Sequence, residues 1–423
     1  MQAKYFGFVS MHILPHLLRR FVKKGRLTIR THDGAVHTFG GGIDGPAVGI
    51  RLMDAKVERE LFFNPELATA EAYMDGRLVF EDGSSVYDLL LLFSVNRGGL
   101  ASHPLQQALR KVWRAMRGLH QANPLGRAAR NVRKHYDHPA AFYALWLDET
   151  MSYSCAYFNH PDEPLEAAQQ NKLRHIAAKL RLAPGMTVAE IGSGWGALAI
   201  YLAQTCGVQV TAINVSPEQL AESRRRAQAA GVADKISFVE QDYRELSGQF
   251  DRVVSIGMME HVGVAYFDGY FNKVQGLLAP AGFALIHAIG RMSPPGSTAP
   301  FIRKYIFPGG YVPALSEVFA ATERTHLWVA DCEILRMHYY WTVRQWRQRF
   351  MARRAEAVVM MGERFTRMWE FYLGAVELGF LNGSNMVFQL LLSQRRDDVP
   401  VIRDYIVDGE RALGIPGRPQ MEH

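Results

Sequence analysis

The stretch "EIGSGWG", Glu190 to Gly196, constrains the fold of this chain more than any other. It joins the apolar, β-favouring run "MTVAEIGSG" to the helical run "ALAIYLAQTC". Glycines at such a junction allow a tight turn and let a ligand approach the backbone, while the helix behind them offers unpaired N–H groups. The spacing is GxGxG, not the GxGxxG of dinucleotide binders, and no GK[ST] follows to make a P-loop. By itself the loop leaves a nicotinamide site or a purely structural turn open. The surrounding pattern is more informative. "VQVTAINVS" reads as a second strand ending at the polar Asn214, and "PEQLAESRRRAQAAG" as a helix with Pro217 behind the capping residue Ser216. "KISFVEQD", "FDRVVSIGM" and "FALIHAIG" read as three further strands, and "LWVADCEIL" and "SNMVFQLLL" as two late ones that bracket long helices. Strands alternating with helices imply βαβ units and a parallel sheet, so the expected class is α/β.

The part before this pattern is different. From about residue 26, "LTIRTHDGAVHTFGG" alternates apolar and polar residues with glycine and Asp-Gly punctuation, which predicts short antiparallel strands. "ELFFNPELATAEAYMDG" and "VYDLLLLFSV" are helical by apolar spacing. A basic Gly- and Pro-containing stretch at 97–134 reads as a link. The expected organisation is a smaller α+β domain over residues 1–120 and a catalytic domain over 121–423. Within the second, "SPPGSTAPFIRKYIFPGGYVP" has the composition of an active-site cover.

With 423 residues, 48% of them hydrophobic, the chain can bury two cores. Its three cysteines, Cys155, Cys206 and Cys332, lie far apart without CxxC spacing. That argues against a disulfide framework or a zinc site and fits a cytoplasmic protein. The pair His135/His138 has no third ligand nearby, so no metal is expected. Net charge is +7, and before Asp33 the chain carries Lys4, Arg19, Arg20, Lys23, Lys24, Arg26 and Arg30 without an acidic residue. The apolar run between Lys4 and Arg19 is too short to span a bilayer. It reads either as an interfacial helix on anionic lipid or as a solvated basic arm. No nucleic-acid recognition motif accompanies the charge, and nucleic acid is not an expected partner.

The glycine loop, Asn214 after the second strand and Gln241–Asp242 after the third resemble the class I S-adenosylmethionine-dependent methyltransferases. Asp or Glu usually holds the ribose where Asn214 stands, although an amide oxygen can also accept such a bond. "HYD", "LDETMSYSCAYF", "EIGSGWG", "QDYRE", "SIGMMEHVG", "IHAIG", "KYIFPGGYVP" and "RDDVPVIRDY" follow in that order. Together they resemble the cyclopropane-fatty-acid synthase family, which includes the mycolic acid cyclopropane synthases. "EAYMDG" resembles the extra N-terminal domain of the phospholipid-acting members. The resemblance implies a Rossmann-like fold with a mostly parallel seven-stranded sheet. It also implies methylene transfer from S-adenosylmethionine to a cis double bond of an unsaturated phospholipid acyl chain.

An alkene is a weak nucleophile, so it must be held in line with the sulfonium methyl. Methyl transfer leaves a cation that water would capture, which calls for a dry, aromatic pocket, and a base must then remove a proton. The resemblance implies a bound bicarbonate as that base, held by Cys155 in "YSCAY", Glu260 in "MMEH", His287 and Ile289 in "IHAI", and Tyr339 in "HYYW". It places the cofactor on Tyr153, Ser154, Gly192, Ser193, Gly194, Asn214, Ser216, Gln219, Gln241 and Asp242. Taken singly, Cys155 reads as a small buried hydrophobe, His287 as a satisfied core histidine, and Glu260 with His261 as a helix-start pair.

Two departures from the family pattern stand out. "HYDHPAAFY" differs in the run after "HYD", and Val376 stands where many members carry a helix cysteine. The first bears on acceptor choice; the second disfavours a covalent cysteine mechanism. The expected activity is therefore cyclopropanation at the inner face of an anionic membrane, with a homodimer as one expected assembly. Two alternatives are a lipid C-methyltransferase that leaves a methyl branch or furan precursor, and a non-catalytic lipid-binding protein.

Overall fold

The structure is a computed structural model that describes Pro15, residues 18–100 and residues 138–414. The basic arm before residue 18, Pro15 apart, and most of the expected link lie outside the described residues. The expected boundary at residue 120 lies there too. The chain groups into two compact units.

The first unit contains a four-stranded sheet, β1 (Arg26–Arg30), β2 (Val36–Gly40), β3 (Ala47–Leu52) and β4 (Leu78–Glu81), in the order β2-β1-β3-β4. β1 and β2 form the expected antiparallel hairpin, with Leu27 opposite Phe39 and Ile29 opposite His37. β3 runs parallel to β1, a pairing that local alternation does not specify. Helices α1 (Ala55–Phe63), α2 (Pro65–Met74) and α3 (Val86–Val95) cover the sheet with Val57, Ala68, Ala72, Leu89 and Leu92. Their starts are set by local chemistry. The Asp54 carboxylate accepts from the Lys56 and Val57 N–H groups, and Ser85 with Asp88 forms a reciprocal capping box.

Residues 297–308 and 343–384 also belong to this unit, so its chain is not confined to the first 120 residues. Tyr305 Oη donates to Glu71 Oε1 at 2.7 Å, and Tyr73 Oη to Glu370 Oε2 at 2.8 Å. Buried Glu377 accepts from Tyr87 Oη at 2.8 Å and from Arg347 Nε at 2.5 Å. These bonds pair every oxygen of a carboxylate that would otherwise be costly to bury. The segment read as an active-site cover is therefore divided. Residues 297–308 go with the first unit and hold a π-helical turn at Ile302–Ile306, while residues 309–342 go with the second.

The second unit is built on a seven-stranded sheet. Its strands are β5 (Thr187–Ile191), β6 (Gln209–Asn214), β7 (Ile236–Glu240), β8 (Phe250–Ile256), β9 (Leu278–Arg291), β10 (Trp328–Ile334) and β11 (Asn385–Ser393), in the order β10-β11-β9-β8-β5-β6-β7. β7, β6, β5, β8 and β9 pair in parallel. β11 and β10, the two late strands read from the sequence, complete the sheet; the sequence alone does not specify their antiparallel pairing. Both faces are covered, which is why the central strands are nearly continuous apolar runs. Helices α4 (Leu165–Leu180), α5 (Ala197–Cys206) and α6 (Pro217–Ala229) bury Leu173, Ile176, Leu198, Leu202 and Leu220 on one face. Helices α7 (Phe267–Leu277) and α8 (Leu315–Arg324) bury Phe267, Tyr270, Phe271, Val274 and Val318 on the other. The aromatic residues Phe267, Tyr270 and Phe271 thus belong to the core. α9 (His338–Ala352), α10 (Arg354–Met361) and α11 (Glu363–Leu381) lie between β10 and β11, and α12 (Asp404–Ala412) follows. Chain order reverses between β5 and β8, and such a switch point leaves a crevice beyond the C-terminal strand ends.

Candidate active site

A cavity occupies that crevice. Its walls include Tyr153, Ser154, Gly192, Ser193, Gly194, Asn214, Gln219, Gln241 and Asp242. Ser216 is the exception among the expected cofactor residues. Its hydroxyl accepts from the Gln219 N–H as the cap of α6, and it does not line the cavity. Asn214 also differs from expectation. Its Oδ1 faces the Val215 and Ser216 N–H groups at 2.7 and 3.3 Å, and its amide nitrogen donates to Gln219 Oε1 and Gly194 O. The oxygen expected to meet a ribose hydroxyl is already engaged in shaping the loop. Asp242 is held by Arg244 through both oxygens at 2.8 and 2.7 Å. Burial pushes its carboxyl up, but those bonds outweigh it and keep the group below the usual range.

The glycine loop is pinned by Gly192 and Ser193, whose N–H groups both donate to Ile213 O at 3.0 Å. Gly194 adopts φ +51°, and a Cβ built there would meet no protein atom within 4 Å. Gly196 is tight, with a Cβ falling 2.9 Å from Ser223 Cβ. Two buried polar atoms on the cavity wall, Ser193 Oγ and Glu190 Oε2, have no partner. Buried polar groups are paired in nearly all folded proteins, so these two await a polar ligand. A glycine cradle with open space above it and unsatisfied groups around it fits S-adenosylmethionine.

Lys172 is a wall residue that the sequence reading missed. Its Nζ donates to Ser154 Oγ at 3.0 Å, and burial pushes its ammonium down to about 8. Glu190 is pushed up to about 8 by the same burial. A signal for Lys172 does exist: with Gln169 and Lys179 it falls on the apolar stripe of α4, where a polar residue demands a partner.

The five expected base-site residues lie outside the cavity wall: Cys155 in the loop before α4, Glu260 in the turn after β8, His287 and Ile289 on β9, and Tyr339 in the first turn of α9. Glu260 sits in a short turn just after β8, and its Oε1 accepts from the Ile289 N–H of β9 at 2.7 Å. Its backbone carbonyl accepts from Tyr311 N at 2.8 Å. Its Oε2 is buried without a partner, and burial pushes the carboxyl up to about 7. His287 lies on β9 beside Gln389 of β11, with 3.2 Å between Nδ1 and Nε2, and burial pulls its imidazole down to about 3. Cys155 is fully buried, and its thiol, pushed well up by that burial, donates to Ala156 O at 3.3 Å. Ala156 N donates to Thr342 Oγ1, and Phe158 N to His338 Nδ1, so "YSCAY" is fastened to the turn of α9 that carries Tyr339. Tyr339 is buried while Tyr340 is only half-buried. Lys172 ties the two groups together, since its charge acts on both Cys155 and His287. Among the described residues, no cluster of His, Cys, Asp and Glu has metal-binding geometry.

Residues 124–390 match the Mycolic acid cyclopropane synthetase family. The chain belongs to this family. It is 34% identical over 359 residues to the cyclopropane-fatty-acyl-phospholipid synthase of Escherichia coli K12, covering 84% of this chain and 90% of that one. It is 38% identical over 270 residues to a probable fatty acid methyltransferase of Pseudomonas putida, covering 62% of this chain and 68% of that one. A crystal structure of the mycolic acid cyclopropane synthase CmaA1 complexed with SAH and CTAB superposes with a TM-score of 0.60 at 28% identity. That match covers 64% of this chain and 99% of that one. The chain is therefore an S-adenosylmethionine-dependent methyltransferase that modifies lipids.

Two outcomes follow from the geometry. Gly194→Ala places a methyl group in open space, at a backbone cost of about 1–2 kcal/mol. The fold should survive, while affinity for S-adenosylhomocysteine falls at least tenfold by calorimetry; unchanged affinity would show that the ligand does not approach there. The second concerns Glu260, whose folded carboxyl titrates near 7 against a usual 4.5. An acid with a raised folded value costs stability as pH rises through that window, by about 3 kcal/mol above pH 7. Glu260→Gln should therefore be more stable than the wild type at pH 8, with the advantage gone below pH 4.5. Urea denaturation at the two pH values reads this directly, and equal stability at pH 8 would contradict it.

Proposed function

We propose that this enzyme is a cyclopropane-fatty-acyl-phospholipid synthase, adding a methylene group across a cis double bond of an unsaturated phospholipid acyl chain. One observation carries the reading: the buried Glu260 carboxyl has one oxygen fixed by Ile289 N–H and the other unpartnered. An unmade hydrogen bond at a buried acceptor costs about 1–3 kcal/mol, so the site favours a ligand that brings a donor. Bicarbonate brings a hydroxyl donor and a charged face, and when bound it supplies the base for the proton lost on ring closure. Glu260 Oε2 accepts from that hydroxyl, and His287 and Tyr339 provide donors to the charged face, with Cys155 adding a third when its thiol turns away from Ala156 O. Glu260, with its raised affinity for a proton, stores or passes one without a large energetic step. The remaining residues position and protect: the glycine loop and Ser193 hold the cofactor, Ser154 and Lys172 fix the wall beside it, and the apolar surroundings exclude water.

The phospholipid substrate is supported by the likeness to the cyclopropane-fatty-acyl-phospholipid synthase of Escherichia coli and by the length over which it matches. A second reading, methyl branching without ring closure, is favoured by the name of the Pseudomonas putida relative. Keeping all five base-site positions favours closure. The basic residues before Asp33 support recruitment to anionic lipid at the inner face of the membrane. Among the described residues, no helix is long and apolar enough to cross a bilayer.

Glu260→Gln tests the chemistry. Turnover should fall by roughly 10² to 10⁴, the usual worth of one positioned base, and residual product should shift toward methyl-branched or unsaturated chains. Added bicarbonate should stimulate the wild type and leave the variant unmoved; a variant of near-normal rate making only ring product would remove Glu260 from the base site. Recruitment predicts binding to anionic vesicles that weakens as salt rises, with attraction of about 1 kcal/mol per basic residue at the surface. Binding that is equal on neutral and anionic vesicles would contradict it.

A further inference from the structure

β9, β11 and α4 bury a chain of polar side chains behind the base site that the reaction scheme does not use. Lys179, 0% exposed, donates to Gln389 Oε1 at 2.9 Å and pairs with Glu333. Glu333 also meets His175 Nε2 at 2.8 Å, and His175 Nδ1 meets Glu410 at 2.7 Å. Burial pushes the Glu333 carboxyl up, but the bonds from His175 and Lys179 outweigh it and hold it well below the usual range. Gln389 is 1% exposed, and its Nε2 lies 3.2 Å from His287 Nδ1, the two residues being direct cross-strand partners.

Elementary hydrogen-bond accounting fixes the Gln389 amide and the His287 ring proton. An ammonium only donates, so the Gln389 atom facing Lys179 must be the oxygen; the flipped amide would set an NH₂ group against NH₃⁺. The atom facing His287 is then the amide NH₂, which also only donates. His287 Nδ1 must accept and carries no proton, which leaves the ring proton on Nε2. We infer that Lys179 and Gln389 are positioning residues that lock His287 as the neutral Nε2–H tautomer, making it a hydrogen-bond donor in the anion site rather than a competing base. The inference rests on the assignment of His287 to that site. It gives a role to a lysine that has no access to solvent and adds to the burial that already disfavours a charged His287. A proton on Nδ1 would point at the amide NH₂, with the Lys172 and Lys179 charges opposing it further.

The test labels histidine with ¹⁵N in the ligand-free full chain and reads ring tautomers by long-range ¹⁵N–¹H correlation. His287 is identified by the signals lost in His287→Gln. The wild type should show Nε2 protonated and Nδ1 bare. Gln389→Glu keeps the size but presents an acceptor to His287, so Nδ1 should become protonated, and turnover should fall roughly 10- to 100-fold with the loss of one donor to an anion. Affinity for S-adenosylhomocysteine should be unchanged, because Gln389 does not line the cofactor cavity. Should Gln389→Glu not fold, Gln389→Met removes the donor without adding charge and should give a mixture of the two tautomers. A wild-type ring protonated on Nδ1, or a Gln389→Glu ring still bare there, overturns the lock. A tautomer that switches while turnover stays the same leaves the lock standing and removes His287 from the base site.

Discussion

The bond from Ile289 N–H to Glu260 Oε1 is the contact on which the rest of the site depends. It spans from the turn after β8 to the neighbouring strand β9, beside the point where strand order reverses. One oxygen is thereby fixed, and the other is directed into a region closed to water. The arrangement is costly. A carboxyl titrating near 7 gives up about 3 kcal/mol when ionised, against a total stability of about 5–15 kcal/mol for a typical domain. A fold keeps such a residue only where a function repays the loss, and a ligand carrying its own donor is the direct way to do so.

The site then separates into two environments with different physics. The cofactor crevice is lined by backbone, small side chains and two unpartnered polar atoms, Ser193 Oγ and Glu190 Oε2, that wait for a polar ligand. Outside its wall, Cys155, Glu260, His287 and Tyr339 are buried, and burial drives the thiol and carboxyl up and the imidazole down, so each charged form is disfavoured. Lys172 stands between the two. It lines the cavity, donates to Ser154, and its charge acts on both Cys155 and His287. The proposed cyclopropanation calls for such a setting, since water near a cationic intermediate would divert the reaction.

Much of this is legible in the sequence, and the reasons differ from element to element. The helix 197–206 and its capping glycine follow from the loop "GSGWG", and the α6 start follows from Ser216 and Pro217, because those signals are local. The parallel pairing of β3 with β1 depends on partners distant in the chain, and local alternation carries no trace of it. Nor does it show that residues 343–384 join the first unit, which rests on pairs such as Tyr73 with Glu370, 297 positions apart. At the site, the family motifs mark Cys155, Glu260 and His287, but a motif does not say what each atom touches. Asn214 illustrates the gap: its oxygen is taken by two backbone N–H groups that only the folded turn brings close. Lys172, Lys179 and Gln389 were missed because each is ordinary by type, and only its place on a buried face makes it notable.

In the proposed reaction a methyl group is transferred to the double bond and then loses one proton as the ring closes. Incubating the enzyme with vesicles of a cis-unsaturated phospholipid and S-adenosylmethionine carrying a CD₃ group tests it most directly. The expected product is an acyl chain bearing a cyclopropane ring with two deuterium atoms on the new carbon, the third having been lost as a deuteron. A methyl-branched chain that keeps all three deuterium atoms, with no ring product, would contradict it.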